Sequence, residues 1–213
     1  MTKNLDKAIW VFDTARDYMA RAGLQSEIQW QRQASLHATT EQQFLMEAAW
    51  VVMCSGFREA TVRKHFDYVS LCFCDWISAE EIVRHKDICV STAQSAFGHR
   101  GKLSAIVEIA AKVNRCGFAS FWSDVLRDPF RELRQLPYIG DVTSRHLYKN
   151  LGGDVEKPDR HLIGIARSCG YSDPGEFCRA IAKETRETLK VIDLVIWRYL
   201  ADNPTSRSQL LAS

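Results

Sequence analysis

Apolar residues recur along this chain at helical spacing. In residues 102–113 the apolar positions are Leu103, Ile106, Val107, Ala110 and Val113, at intervals of 3, 1, 3 and 3, leaving Lys102, Glu108 and Lys112 for solvent. Leu189, Ile192, Val195, Ile196, Tyr199 and Leu200 repeat the pattern near the C-terminus. Residues 44–52 are apolar on nearly every face, which predicts a central helix. Start signals agree with this reading. Thr40 with Gln43, Ser78 with Glu81, and Asp173 with Glu176 stand at capping-box spacing. Pro129 and Pro174 each follow an aspartate, as proline does at a first helical position. No alternating strand pattern or Asn-Gly hairpin dipeptide interrupts the series. The chain reads as all-α, about ten to twelve helices joined by short loops. The polar tail from Asn203 to Ser213 is expected to fray.

Composition narrows the class. With 213 residues, 46% hydrophobic and 25% charged, the chain is globular and long enough for one large domain or two lobes. Net charge is 28 − 26 = +2, which permits a nucleic-acid partner without requiring one. No stretch reaches the length of a membrane span, and the first ten residues lack a signal peptide's apolar run. A soluble, cytoplasmic protein is therefore expected, with its seven cysteines reduced.

One stretch carries chemistry: Leu133-Arg-Gln-Leu-Pro-Tyr-Ile-Gly-Asp-Val-Thr-Ser-Arg-His-Leu147. A short helix from about Pro129 to Gln135 is expected to meet a tight turn, Leu136 to Gly140, before a second helix that starts near Asp141. Leu136 and Ile139 would pack beneath the turn. Gly140 would allow close backbone approach or a positive φ. The amides after Gly140 head a helix, and such orphan donors favour an anion such as a nucleic-acid phosphate. The plain alternative is an ordinary helical corner.

The second feature is Glu156-Lys-Pro-Asp-Arg-His-Leu162. Asp159 follows Gly140 by 19 residues, about one helix and a loop. Pro158 biases Lys157 away from helix, which puts Asp159 at a helix start. Aspartate there is a good N-cap, worth about 1 kcal/mol, and this alone would explain it. The same amides also stabilise the ionised carboxylate, which suits a reaction that develops positive charge on a sugar.

Together the two features resemble the helix-hairpin-helix base-excision DNA glycosylases (the HhH-GPD superfamily), in particular the endonuclease III-like members. That family shows a Leu-Pro-Gly-(Ile/Val)-Gly hairpin followed by a catalytic Asp in an Asp-x-His context. Here the match is Leu136-Pro137-Tyr138-Ile139-Gly140, then Asp159-Arg160-His161, with similar flanks from about Glu41 to Ala201. The resemblance implies a bilobal all-α fold with a DNA-binding cleft. One lobe would span about 38–153, including the helix-hairpin-helix 129–149. The other would combine about 1–37 with 154–213. The target base would be flipped out of the duplex.

Departures from the family pattern shape the expected chemistry. Bifunctional members carry a lysine two residues after the hairpin's last glycine, and Val142 stands there. Hydrolysis by water is therefore expected, without lyase activity, and Asp159 is the catalytic residue that stabilises an oxocarbenium-like sugar and activates water. Lys149 or Lys157 would substitute only if the fold carried one to the reacting sugar. Nothing follows Cys178 that could form the family's iron–sulfur cluster, and Cys72-x-Cys74 is too sparse for a cluster or zinc. No metal cofactor is expected, although the resemblance leaves room for one monovalent cation at the hairpin. Cys72 and Cys74 are read as small side chains of a helix. Tyr138 replaces the hairpin's first glycine, and Asp141 puts a negative charge where phosphate should dock, unless it serves as the local N-cap with its carboxylate turned inward.

The resemblance assigns DNA contacts to Leu136, Pro137, Tyr138, Ile139, Gly140, Val142, Thr143 and Arg145 of the hairpin. It adds Phe57 and Arg58 of the probing loop, where either would wedge into the stack, and Arg100 and Lys102 of the next helix. Core packing is the alternative for Phe57. Trp50, Phe97, Tyr148 and Trp197 supply aromatics for a base pocket or for the core. The expected partner is double-stranded DNA with a damaged or mispaired base, bound by a monomer that is nucleoid-associated in a bacterium. A non-catalytic DNA-binding protein that recognises distorted or abasic DNA is the alternative, favoured by Tyr138 and Asp141.

Overall fold

The computed structural model describes residues 2–204. The frayed end expected beyond residue 204 lies outside the described residues. Thirteen α-helices and no strand occur among them. In chain order the first are α1 (Leu5–Arg21) and α2 (Gln25–Gln33). Next come α3 (Glu41–Cys54), α4 (Glu59–Cys72), α5 (Ala79–Arg84), α6 (Lys86–Gln94), α7 (Arg100–Cys116), α8 (Phe118–Arg127), α9 (Pro129–Leu133) and α10 (Asp141–Asn150). The last are α11 (Arg160–Ser168), α12 (Pro174–Thr185) and α13 (Leu189–Asp202). The count exceeds the periodicity estimate by one, and residues 79–94 hold two short helices although they contain no glycine or proline. The chain breaks there at His85, with φ −107 and ψ 17.

The described chain forms two compact units, residues 36–151 and residues 2–35 with 152–204. In the first, α3 is the central element: Phe44, Leu45, Ala48, Ala49, Val51, Val52 and Met53 are all buried. Its start follows from the sequence, since Thr40 and Gln43 exchange side-chain and backbone hydrogen bonds in a capping box. Phe44 packs edge-on against Phe121 at 4.9 Å. Trp122 Nε1 donates to Leu36 O at 3.1 Å, so this buried indole is satisfied.

A three-residue 3₁₀ turn after α4 is unusual. Cys74, Asp75 and Trp76 all adopt left-handed φ, at 57, 48 and 60. Cys74 therefore lies in this turn rather than on an α-helix, and only Cys72 keeps the helical placement expected of both.

In the second unit α1 packs on α13 and α12, burying Val11, Phe12 and Met19 with Ile165, Phe177, Ile192 and Ile196. Lys190 of α13 is buried here too. Its ammonium donates to Ala34 O at 2.8 Å and Gly152 O at 3.2 Å, tying together two backbone segments that leave this unit. No described helix is long and apolar enough to cross a membrane.

Candidate functional site

The hairpin of the first unit forms close to where periodicity and caps put it. Asp128 caps α9 by accepting from Arg131 N, and Pro129 occupies its first turn. Leu136 and Ile139 are 3% and 4% exposed, anchored in the core beneath the turn. Their side chains are thus unavailable to an outside partner, and only the backbone of these two positions could touch DNA. Pro137 is half-buried; Gly140 and Val142 face solvent.

The turn's special backbone angle falls at Tyr138, with φ 62, and not at Gly140, whose φ of −100 is ordinary. A Cβ on Gly140 would meet nothing within 4 Å, so nothing inside the fold demands glycine there. Gly140 is the N-cap of α10, and its own N–H donates to Thr143 Oγ1 at 2.7 Å. Thr143 is thus engaged within the turn. The first intrahelical bond runs from Ser144 N to Gly140 O at 2.8 Å, and the amides of Asp141, Val142 and Thr143 head the helix. Asp141 neither caps nor turns inward: its side chain is 83% exposed and pairs with Arg134 at 2.7 Å. The unfavourable charge expected near phosphate is therefore partly offset.

The basic residues divide. Arg58 stands at the N-cap position of α4 without a side-chain capping bond and is exposed; Arg100 is exposed and donates to Gln94 Oε1 at 3.1 Å. Arg145 lies over the Phe130 ring at 4.9 Å. Lys149, four residues on in the same helix, is buried. Lys102 is the main correction. It is 2% exposed, its ammonium donates to Val52 O, and it sits 4.8 Å from the Tyr138 ring centre and 5.6 Å from that of Phe57. It does not reach out to phosphate. Lys102 shares one face of α7 with the buried Ile106, Ile109 and Val113, although the apolar pattern leaves it for solvent.

Burial lowers the Lys102 pKa from 10.5 to about 8. Between those values the unfolded chain binds a proton that the folded chain does not, so stability gained from this site rises with pH through that window. The stability difference between wild type and Lys102→Met is expected to move in favour of wild type by up to about 3 kcal/mol from pH 8 to pH 10.5. Paired thermal melts across that range measure it; a difference that stays flat would refute the assignment.

Phe57 is 41% exposed, at the tip of a turn that Gly56 makes with φ 77, so it is not a core residue. The other aromatics pack locally. Trp50 meets Phe66 at 5.0 Å, Tyr148 meets Phe130 at 5.5 Å, and Phe97 is buried under Phe57. A groove lined by Gln42, Gln43, Met46, Ser70, Asp75 and Trp76 contains none of the predicted site residues.

In the second unit Asp159 is the N-cap of α11, with an extended backbone at φ −84 and ψ 175. Its Oδ1 accepts from His161 N at 2.9 Å and Leu162 N at 3.1 Å. Its Oδ2 lies 3.3 Å from Lys157 Nζ, and the two side chains are 18% and 12% exposed. The carboxylate is therefore fixed by one oxygen and ion-paired through the other. Lys157 also lies 5.2 Å from the Trp197 ring centre, with Arg198 at 5.1 Å from the same ring. Lys157, which the sequence leaves without a defined place, is thus fixed beside the Asp159 carboxylate. No family model, curated protein or solved structure matches this chain.

Proposed function

We propose that the chain is a DNA repair glycosylase of the helix-hairpin-helix type, with the bilobal fold and DNA-binding cleft that the resemblance implies. It hydrolyses the N-glycosidic bond of a damaged or mispaired base in duplex DNA. One observation carries the reading: Asp159 holds Oδ1 on two backbone amides and keeps Oδ2 for a cationic partner, in a site only partly open to water. A carboxylate so held stays in one orientation and is suited to face positive charge. As the C1′–N bond breaks, its electron pair leaves with the base and positive charge develops on the sugar. Asp159 stabilises that charge. Water then adds to C1′, and its proton passes by way of Oδ2 to the departing base. The hairpin's exposed amides and Arg58 and Arg100 hold phosphates.

The Lys157–Asp159 pair favours a second reading, in which the Lys157 amine attacks C1′ itself and strand cleavage follows. A base-release assay on duplexes with a panel of lesions, developed with and without hot alkali, separates the possibilities. Cleavage that requires alkali supports hydrolysis by water. Cleavage without alkali that Lys157→Met abolishes supports the second reading. Tight binding without base release overturns both in favour of a non-catalytic binder of distorted or abasic DNA. Neither release nor binding overturns the DNA reading altogether.

A further inference from the structure

We infer that Phe57 and Tyr138 form a stacking platform for one unstacked nucleobase, supported from beneath by the buried side chain of Lys102. The inference rests on reading the chain as a DNA-binding protein.

The rings form an array within residues 57–138. Phe97 lies 5.3 Å from Phe57, Phe57 lies 5.9 Å from His99, and His99 lies 6.1 Å from Tyr138. Phe97 is buried, whereas Phe57 and Tyr138 are 41% and 44% exposed. Lys102 Nζ, itself buried, lies over both exposed rings, at 5.6 Å from Phe57 and 4.8 Å from Tyr138. A ring held by a cation on its inner face presents its other face to solvent.

The backbone adds an independent observation. Tyr138 adopts φ 62, a region that costs an L-residue and would cost glycine nothing. Its hydroxyl lies over Gly101, where an added Cβ would come within 2.9 Å of Tyr138 Oη. Both the strained turn and the space at Gly101 serve to seat this one ring.

Charge around the platform selects the occupant. Arg58 adjoins Phe57, and Arg100 opens the helix that carries Lys102; both are exposed. The nearby carboxylates are engaged, Glu59 with Arg63 at 2.6 Å and Asp141 with Arg134 at 2.7 Å. Exposed ring faces flanked by uncompensated arginines match a base with its own phosphates, rather than an apolar peptide or an uncharged ligand.

The test uses two labelled strands of equal charge, a short oligothymidylate and the same sugar–phosphate chain without bases, with affinity read by fluorescence anisotropy. Wild type is expected to prefer the base-bearing strand by about tenfold or more. Tyr138→Leu, which still covers Lys102, should lose that preference, while Tyr138→Phe and Tyr138→Trp keep it. Phe57→Leu should weaken it in the same direction. Thermal melts confirm that each variant is folded. Equal binding of the two strands by wild type overturns the platform, as does a preference that survives in folded Tyr138→Leu; neither touches the glycosylase reading. If wild type binds neither strand while still releasing bases from duplexes, the platform falls and the glycosylase reading stands. If it neither binds the strands nor binds or cleaves any duplex, both fall.

Discussion

Asp159→Asn is expected to lower base release about a thousandfold while leaving the melting temperature nearly unchanged. The two halves of that expectation come from different atoms. Asparagine caps helices about as well as aspartate, and its amide oxygen can take over the bonds from His161 N and Leu162 N. What disappears is the charge that would face the sugar, together with the ion pair to Lys157. A partly exposed pair of this kind contributes up to about 1 kcal/mol. Asp159→Ala removes the cap as well and should lose a further ~1 kcal/mol of stability. Single-turnover base release on the lesion that wild type cleaves, alongside thermal melts, measures both. An asparagine variant within tenfold of wild type would remove Asp159 from the mechanism.

The largest stability effect is expected at Gly152. Its φ is +110, and a Cβ there would lie 2.6 Å from Ala34 C, Ala34 O and Ser35 N. All three are backbone atoms, and neither side is free to give. Ala34 O and Gly152 O both accept from the buried Lys190 ammonium. Strained backbone and overpacking each cost about 1–3 kcal/mol, so Gly152→Ala should lose on the order of 3–5 kcal/mol and melt roughly 10 °C lower. Gly140→Ala is the matched control. Its φ is −100 and its Cβ would point into open space, so its melting point should stay within about a degree or two of wild type. A Gly152→Ala protein that melts with wild type would show that the two segments separate easily.

Helix starts were legible because capping is local. Thr40, Ser78, Asp128, Asp159 and Asp173 each accept a hydrogen bond from a backbone amide two or three residues on, so residue type and spacing suffice to find them. Leu136 and Ile139 were legible as turn anchors for a similar reason. The conformation at Tyr138 was not. Glycine is the usual marker of left-handed backbone, and Gly140 drew the expectation while a tyrosine took the angle. Lys102 was not legible either, because an apolar pattern counted from Leu103 leaves a lysine in solvent, whereas packing buries it on the face of α7 that carries Ile106 and Ile109.

The sequence by itself determined an all-helical chain, the position of most helices, the hairpin turn and the capping role of Asp159. Each depends on interactions within about one helical turn. Tertiary structure decided which charges are buried and what they meet. Lys102 reaches a carbonyl 50 residues away at Val52, and Lys190 reaches one 156 residues away at Ala34. Burying an ammonium is costly unless an acceptor is waiting, and those acceptors are backbone oxygens that any residue type could supply. No spacing in the sequence could announce them; only the packing of distant helices brought them within reach.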